Sequence, residues 1–267
     1  ETFPAGDGMW HNRPLMKILL TNDDGINAPG LNALQAQMKK HGEVAIVAPD
    51  SERSAVGHAI TTVDPLRVVE VKRNGSLYGL AVSGTPADCV KIAVKSLLPW
   101  RPDLVISGIN QGPNTGMNVI YSGTVSAATE ATMLGIPAFA VSLDSFTVRE
   151  FGPAAEFAAR LAGIVARKGL PSGVLLNVNI PVLPRSAMRG VRVTRQGMAR
   201  FSEEFHKRVD PRGHAYWWLG GELLEMQEDE ETDSAALRAG FISVTPLHFD
   251  MTAYESIAAI GKWKLKR

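Results

Sequence analysis

The chain has 267 residues, 45% of them apolar and 21% charged, enough for one large domain or two small ones with a sizeable core. Its 28 lysines and arginines stand against 27 aspartates and glutamates, a formal charge of +1, which gives no electrostatic footprint for a nucleic-acid duplex. No apolar run is long enough to span a bilayer, and the single cysteine, Cys89, cannot form an internal disulfide, so a cytoplasmic protein without a membrane partner is expected.

Residues 1–15 have neither periodicity nor a signal-peptide core and read as an extension outside the fold. The run Lys17 to Leu20 is too short for a helix and is bounded by turn residues, so it predicts a buried parallel strand. It stops on Thr21-Asn22-Asp23-Asp24-Gly25. In an open α/β sheet the carboxyl end of a strand is where ligands bind. Two adjacent carboxylates there repel each other unless a cation or a shared proton relieves them, and a divalent metal is the simplest relief. A helix cap at the turn before Pro29 would need one carboxylate, not two.

Gly30 to Lys40 is spaced for an amphipathic helix ending at Gly42, and Val44 to Val47 for a second strand that runs into the polar loop Pro49 to Ser54. This is the βαβ rhythm of a doubly wound sheet. Between Thr61 and Leu80, strand formers flank Asn74-Gly75, a strong hairpin signal. Thr85, Pro86 and Asp88 mark a helix start, with Thr85 as the N-cap, and that helix is expected to reach about Leu98. Cys89 falls in its apolar pattern and reads as a small core residue.

Asp103 to Ser107 predicts the next buried strand. It discharges into Gly108 to Asn118, a run of glycines, asparagines and a proline that reads as irregular structure supplying amides and open backbone groups. Tyr121-Ser122-Gly123-Thr124 then opens an alanine-rich helix. Free N–H groups and the helix dipole make such a start a natural anion site, although an ordinary capped helix begins the same way. A strand at Ala138 to Leu143, a helix at Pro153 to Lys168 and a strand at Val174 to Asn179 complete the α/β pattern. Past Pro181 the texture changes to strand-like pieces at Val191 to Thr194, Tyr216 to Leu219 and Phe241 to Leu247, a solvated acidic stretch from Glu222 to Asp233, and a weak terminal helix. Such a segment is too thin to hold a core alone and packs on the main domain or on another subunit.

Asp23, Asp24, Ser54 and Asn110 thus stand at the carboxyl ends of three predicted strands. All are hard oxygen donors, a set suited to magnesium or manganese, whereas zinc favours histidine and cysteine. The six histidines show no paired ligand spacing. No glycine-rich loop ends in Gly-Lys-Ser/Thr, and the glycines at 108, 112 and 116 miss the dinucleotide-binding spacing, so a redox cofactor is not expected. A haloacid-dehalogenase-type phosphatase would want its aspartates one residue apart, and these are contiguous.

Asn22-Asp23-Asp24-Gly25-Ile26, Ala48-Pro49-Asp50-Ser51-Glu52-Arg53-Ser54, Ser83-Gly84-Thr85-Pro86-Ala87-Asp88-Cys89-Val90, Ser107-Gly108-Ile109-Asn110-Gln111-Gly112-Pro113-Asn114 and Tyr121-Ser122-Gly123-Thr124-Val125 follow one another in this order. Together they resemble the SurE family, stationary-phase survival proteins that are metal-dependent nucleotidases. Ala55-Val56 departs from the smaller residues typical there. The resemblance implies an α/β fold: a Rossmann-like, doubly wound, mostly parallel sheet with a β-rich C-terminal extension. It implies one divalent ion on Asp23, Asp24, Ser54 and Asn110, with phosphate contacts from Asn114 and Ser122 beside Gly123 and Thr124. The expected activity is hydrolysis of nucleoside 5′- or 3′-monophosphates, with Asp23, Asp24 and Asn110 at the catalytic centre. A catalytic core over 16–180 and an arm over 181–267 would follow, the arm joining a homodimer or homotetramer. A metal-dependent sugar-nucleotide transferase and a non-catalytic nucleotide sensor are the alternatives. A second carboxylate beside a phosphate would serve a plain sensor poorly.

Overall fold

The structure, a computed structural model, describes residues 15–148, 150–221, 223–224 and 228–263. All of the expected N-terminal extension except Leu15, and part of the acidic stretch beginning at Glu222, lie outside the described residues.

In chain order the first part forms β1 (Met16–Thr21), α1 (Pro29–Met38), β2 (Gly42–Pro49), β3 (Val68–Arg73), β4 (Ser76–Val82) and α2 (Pro86–Ile92), which a π-turn continues over Ala93–Leu97. It goes on through β5 (Leu104–Gln111), α3 (Asn118–Tyr121), α4 (Gly123–Met133), β6 (Ala138–Leu143), α5 (Gly152–Lys168) and β7 (Val174–Ile180). The remainder forms β8 (Val191–Val193), β9 (Arg200–Phe201), β10 (Glu204–Val209), β11 (Ala215–Gly220), β12 (Leu223–Leu224), α6 (Asp233–Arg238), β13 (Ile242–His248) and α7 (Tyr254–Ile260).

Nine of these strands make one sheet in the order β3-β4-β2-β1-β5-β6-β7-β13-β8. It is mostly parallel. The exceptions are β3 against β4, joined by the Asn74-Gly75 turn with φ of 49° and 78°, and β13 against β7. Successive residues of a strand face opposite sides, and β1 uses both. Ile18 and Leu20 pack in the cluster built with Leu31 and Leu34 of α1 and Phe157 and Leu161 of α5, while Leu19 joins Val90 of α2 and Val125 and Ala128 of α4. Each such fully buried aliphatic contributes about 1.5–3 kcal/mol. Helices therefore cover both faces, as the doubly wound pattern requires. The chain leaves β1 toward β2 on one side and returns as β5 on the other, so the crevice at the carboxyl ends of β1 and β5 is the place where the winding reverses.

Several elements depart from the sequence reading. Strand β5 runs on to Gln111 through a register shift between Ser107 and Asn110, because Ser142 and Leu143 of β6 offer pairing partners there. Asn110 therefore stands on a strand end, not in a loop. The charged segment Glu204–Val209, which no apolar pattern marks, pairs with β11 as an exposed two-stranded ribbon. Asp233, read as solvated, is fully buried at the start of α6. Beyond β7, β13 and β8 extend the main sheet.

Helix α2 begins as expected, with a complete capping box between Thr85 and Asp88. Asp88 also accepts from Thr61, at 3.0 Å from the backbone N–H and 2.6 Å from the hydroxyl. Burial alone would raise its pKa, but the hydrogen bonds from Thr61 and Thr85 outweigh it and hold the carboxyl below the ordinary 3.8. A depressed carboxylate adds stability that is present above pH about 4 and lost as pH falls through its folded pKa. Asp88→Asn is therefore expected to cost about 1–3 kcal/mol at pH 7, with the gap to the unaltered protein closing as pH falls below the ordinary carboxylate range, as read from denaturant melts at falling pH.

Candidate active site

Asp23 and Asp24 follow β1 after one intervening residue, Asn22. Asp23 is 5% exposed, and its Oδ1 accepts the hydroxyl proton of Thr124. Gly123 lies so close that an added Cβ would sit 2.8 Å from Asp23 Cβ. The start of α4 is thus folded over Asp23. Asp24 is half-buried, and the Gln111 N–H approaches its Oδ2 at 3.4 Å. Burial lifts the Asp23 carboxyl above its ordinary value, with the Thr124 hydroxyl pulling back against it. Burial first, and the neighbouring charge of Asp23 second, push Asp24 up to about 7.

Ser54 is exposed and donates to Glu52 Oε1 at 2.6 Å. Its loop is tethered from behind: Gly57 N–H donates to Tyr121 O at 3.0 Å, and His58 Nε2 to Glu130 Oε2 at 3.0 Å. Asn110 Nδ2 donates to Gly112 O at 2.8 Å, which turns the amide and leaves its oxygen as the open donor atom. Asn114 is buried and held by the ends of β6 and β7: Asn179 accepts its N–H at 2.7 Å, Asn177 donates to its carbonyl at 2.7 Å, and its Nδ2 donates to Ser142 at 2.8 Å. Ser122 caps α4 by accepting the Val125 N–H at 3.1 Å.

A cavity of about 830 Å3 collects these groups. Asp23, Asp24, Ser54, Asn110, Asn114 and Ser122 all line it, whereas Gly123 and Thr124 lie behind Asp23 and do not reach its wall. The sequence reading missed Glu52, Ser142, Asn177 and Asn179. The alternating asparagines at the carboxyl end of a buried strand were the signal available for the last two. It also missed the C-terminal support of the Asn114 loop. Fully buried Asp233 accepts the N–H groups of Gly116 at 3.0 Å and Gly197 at 2.9 Å, Gln196 Nε2 donates to Gly116 O at 2.8 Å, and Met117 N–H donates to Ala199 O at 2.9 Å.

One buried and one half-buried carboxylate held above their ordinary pKa, with a hydroxyl and an open amide oxygen around the same cavity, are a donor set that fits a hard divalent cation. Among the described residues, no cluster of three or more His, Cys, Asp or Glu offers another metal site. Cation donors and buried amides at the reversal point of a doubly wound sheet define an α/β protein with a metal-and-anion site. Residues 18–203 match the family model described as survival protein SurE. The 5′-nucleotidase SurE of Syntrophobacter fumaroxidans is 56% identical over 94% of this chain and 100% of its own length; that of Symbiobacterium thermophilum is 54% identical over 93% and 98%. The crystal structure of the SurE protein from Aquifex aeolicus superposes with a TM-score of 0.79 at 40% identity, over 91% of this chain and 98% of that one. The chain belongs to the SurE survival protein family. Membership brings a divalent metal cofactor with it.

The raised carboxyls make the metal-free fold pH-dependent. A carboxyl whose folded pKa lies above its unfolded value contributes stability that is complete below pH about 4 and is lost as pH rises, for Asp24 through about 7. In chelator, Asp24→Asn is expected to raise the melting temperature at pH 8 by ~2 °C or more and to flatten its fall between pH 5 and 8. Thermal melts of both proteins across that range check it.

Proposed function

We propose that this chain is a metal-dependent phosphomonoesterase that hydrolyses nucleoside 5′- or 3′-monophosphates to nucleoside and phosphate. The observation that carries this reading is the cavity whose lining brings together the adjacent carboxylates of Asp23 and Asp24, the buried Asn114 and the α4 cap Ser122. The names of the relatives support it. Asp23, Asp24, Ser54 and Asn110 would hold one magnesium or manganese ion per subunit, which when bound supplies positive charge that polarises the phosphoryl oxygens.

The chain's own groups do the positioning. Thr124 fixes the rotamer of Asp23, and Gly112 fixes the amide of Asn110. Asn114 has given one Nδ2 hydrogen to Ser142 and directs the second at the phosphate. Ser122 accepts from Val125 through a lone pair, so its O–H is free to donate to a phosphate oxygen. Gly123 and Thr124 bring the positive end of α4 to the same corner, where it offsets charge on Asp23 and on the substrate phosphate. We further infer a cytoplasmic protein, for which the one buried cysteine argues. Among the described residues no helix is long and apolar enough to cross a membrane.

Purified chain incubated with nucleoside monophosphates and magnesium, manganese, cobalt or zinc, without any acceptor, is expected to release phosphate, and chelator to stop it. A transferase would need the acceptor, and a sensor would bind without release. Asp23→Asn should abolish release while preserving the fold. Ser122→Ala removes a hydrogen bond to a charged group, worth roughly 1.5–3 kcal/mol, so kcat/KM should fall about ten- to a hundredfold, alongside a cap loss of about 0.5–2 kcal/mol in denaturant melts.

We also propose a homodimer or homotetramer built through residues 181–267. On the β10–β11 ribbon Phe205 and Trp217 share one face at 67% and 56% exposure and Trp218 stands on the other at 65%, more open aromatic surface than a lone chain keeps. Light scattering at micromolar concentration should give a multiple of the chain mass, and a monomer would refute this.

A further inference from the structure

At about 830 Å3 the cavity is far larger than a phosphate and a cation need. Besides the carboxylates and amides its lining includes Phe146, Phe201 and Leu219, which remain 62%, 40% and 60% exposed. Large apolar side chains left open on the wall of a cavity form a ligand surface. The Phe146 and Phe201 rings meet edge to face, with centroids 6.5 Å apart and planes at 60°. That spacing is too close for a third ring between them. A planar ligand can lie flat on one ring with the other against its edge, the two arrangements that aromatic quadrupoles favour.

The platform is tied to the stretch that carries the polar groups. Gln111 Nε2 donates to the Phe146 carbonyl at 2.7 Å. The Phe146 ring rests against Gly112, where an added Cβ would collide with it. Gln111 and Gly112 sit between Asn110 and Asn114, so one short stretch sets the spacing from ring face to phosphate site. Phe201 arrives from the C-terminal part, on β9.

Resting on the nucleotidase reading, we propose that Phe146 and Phe201 form the platform against which the nucleobase packs, and that this pair selects base-bearing phosphates over base-free sugar phosphates. Stacking needs only a π-face, so the platform accepts purines and pyrimidines alike. Leu219 adds apolar lining without adding a ring.

The test compares kcat/KM for adenosine monophosphate and ribose 5-phosphate with magnesium present, in the full chain and in Phe146→Leu, Phe146→Tyr and Phe201→Leu. Phe146→Leu keeps apolar bulk but removes the ring face, and its selectivity ratio is expected to fall about tenfold through the KM for the nucleotide. Phe146→Tyr should keep the ratio, and Phe201→Leu should lower it. Adenosine binding by calorimetry is the second arm. It involves no phosphate, so it reads the platform even in a protein that releases none, and Phe146→Leu should weaken it to a similar extent. Unchanged ratios in both leucine variants, or unchanged adenosine affinity, would overturn the platform. Absence of phosphate release from the unaltered chain would instead overturn the nucleotidase reading. Phe146 is largely exposed, so its replacement leaves the core intact, and Phe201→Leu provides an independent variant at the same face.

Discussion

Two carboxyl groups on consecutive residues, withdrawn from water at the end of a central strand, set the terms for everything near them. Left ionised and alone, Asp23 and Asp24 would repel each other in a medium that screens poorly. The chain answers part of this with the Thr124 hydroxyl, the start of α4 and the Gln111 N–H. Burial outweighs these bonds and displaces both acids upward, with the charge of Asp23 adding to it at Asp24. A place that the protein leaves short of positive charge suits a cation, and the oxygen donors around it favour a hard one.

The fold supplies the rigidity that such a site requires. Asp23 and Asp24 extend from a strand buried on both faces, and Asn110 and Asn114 from the strand hydrogen-bonded beside it. Around them, short polar tethers replace apolar packing. His58 to Glu130 and Thr61 to Asp88 hold the Ser54 loop, and the asparagines of β7 hold Asn114. These bonds lie behind the groups that face the cavity and leave their outer atoms open. Ala55, next to Ser54, adopts φ of 56°, a left-handed conformation that costs a residue with a Cβ roughly 1–2 kcal/mol. The tethers on either side are what keep it there, and the departure at Ala55-Val56 from smaller residues falls at this strained turn.

The central strands and their helices were legible because burial on both faces leaves unbroken apolar runs, as in Ile18 to Leu20 and Ala138 to Val141, and because Asn74-Gly75 and Thr85 to Asp88 are local signals with local causes. The carboxylate pair was legible for the same reason: its cost is evident from two letters. Other features depend on partners far away in the chain. Glu204 to Val209 becomes a strand only because Ala215 to Gly220 lies alongside it, and nothing apolar in it says so. Thr124 read as part of an anion site, but its hydroxyl serves a carboxylate 101 residues earlier. Asp233 read as one more charge in an acidic run, and only the fold reveals the backbone amides that surround it.

That buried aspartate has a consequence for biosynthesis. The Gly116 N–H lies in the loop that carries Asn114, and its acceptor is 117 residues further along the chain. A nascent polypeptide can complete β1, β5 and α4, with all four candidate metal donors already translated, and still lack the group that fixes this loop. The site therefore reaches its final shape only after residue 233 has left the ribosome and folded back. Until then two acidic side chains are present without the finished pocket around them.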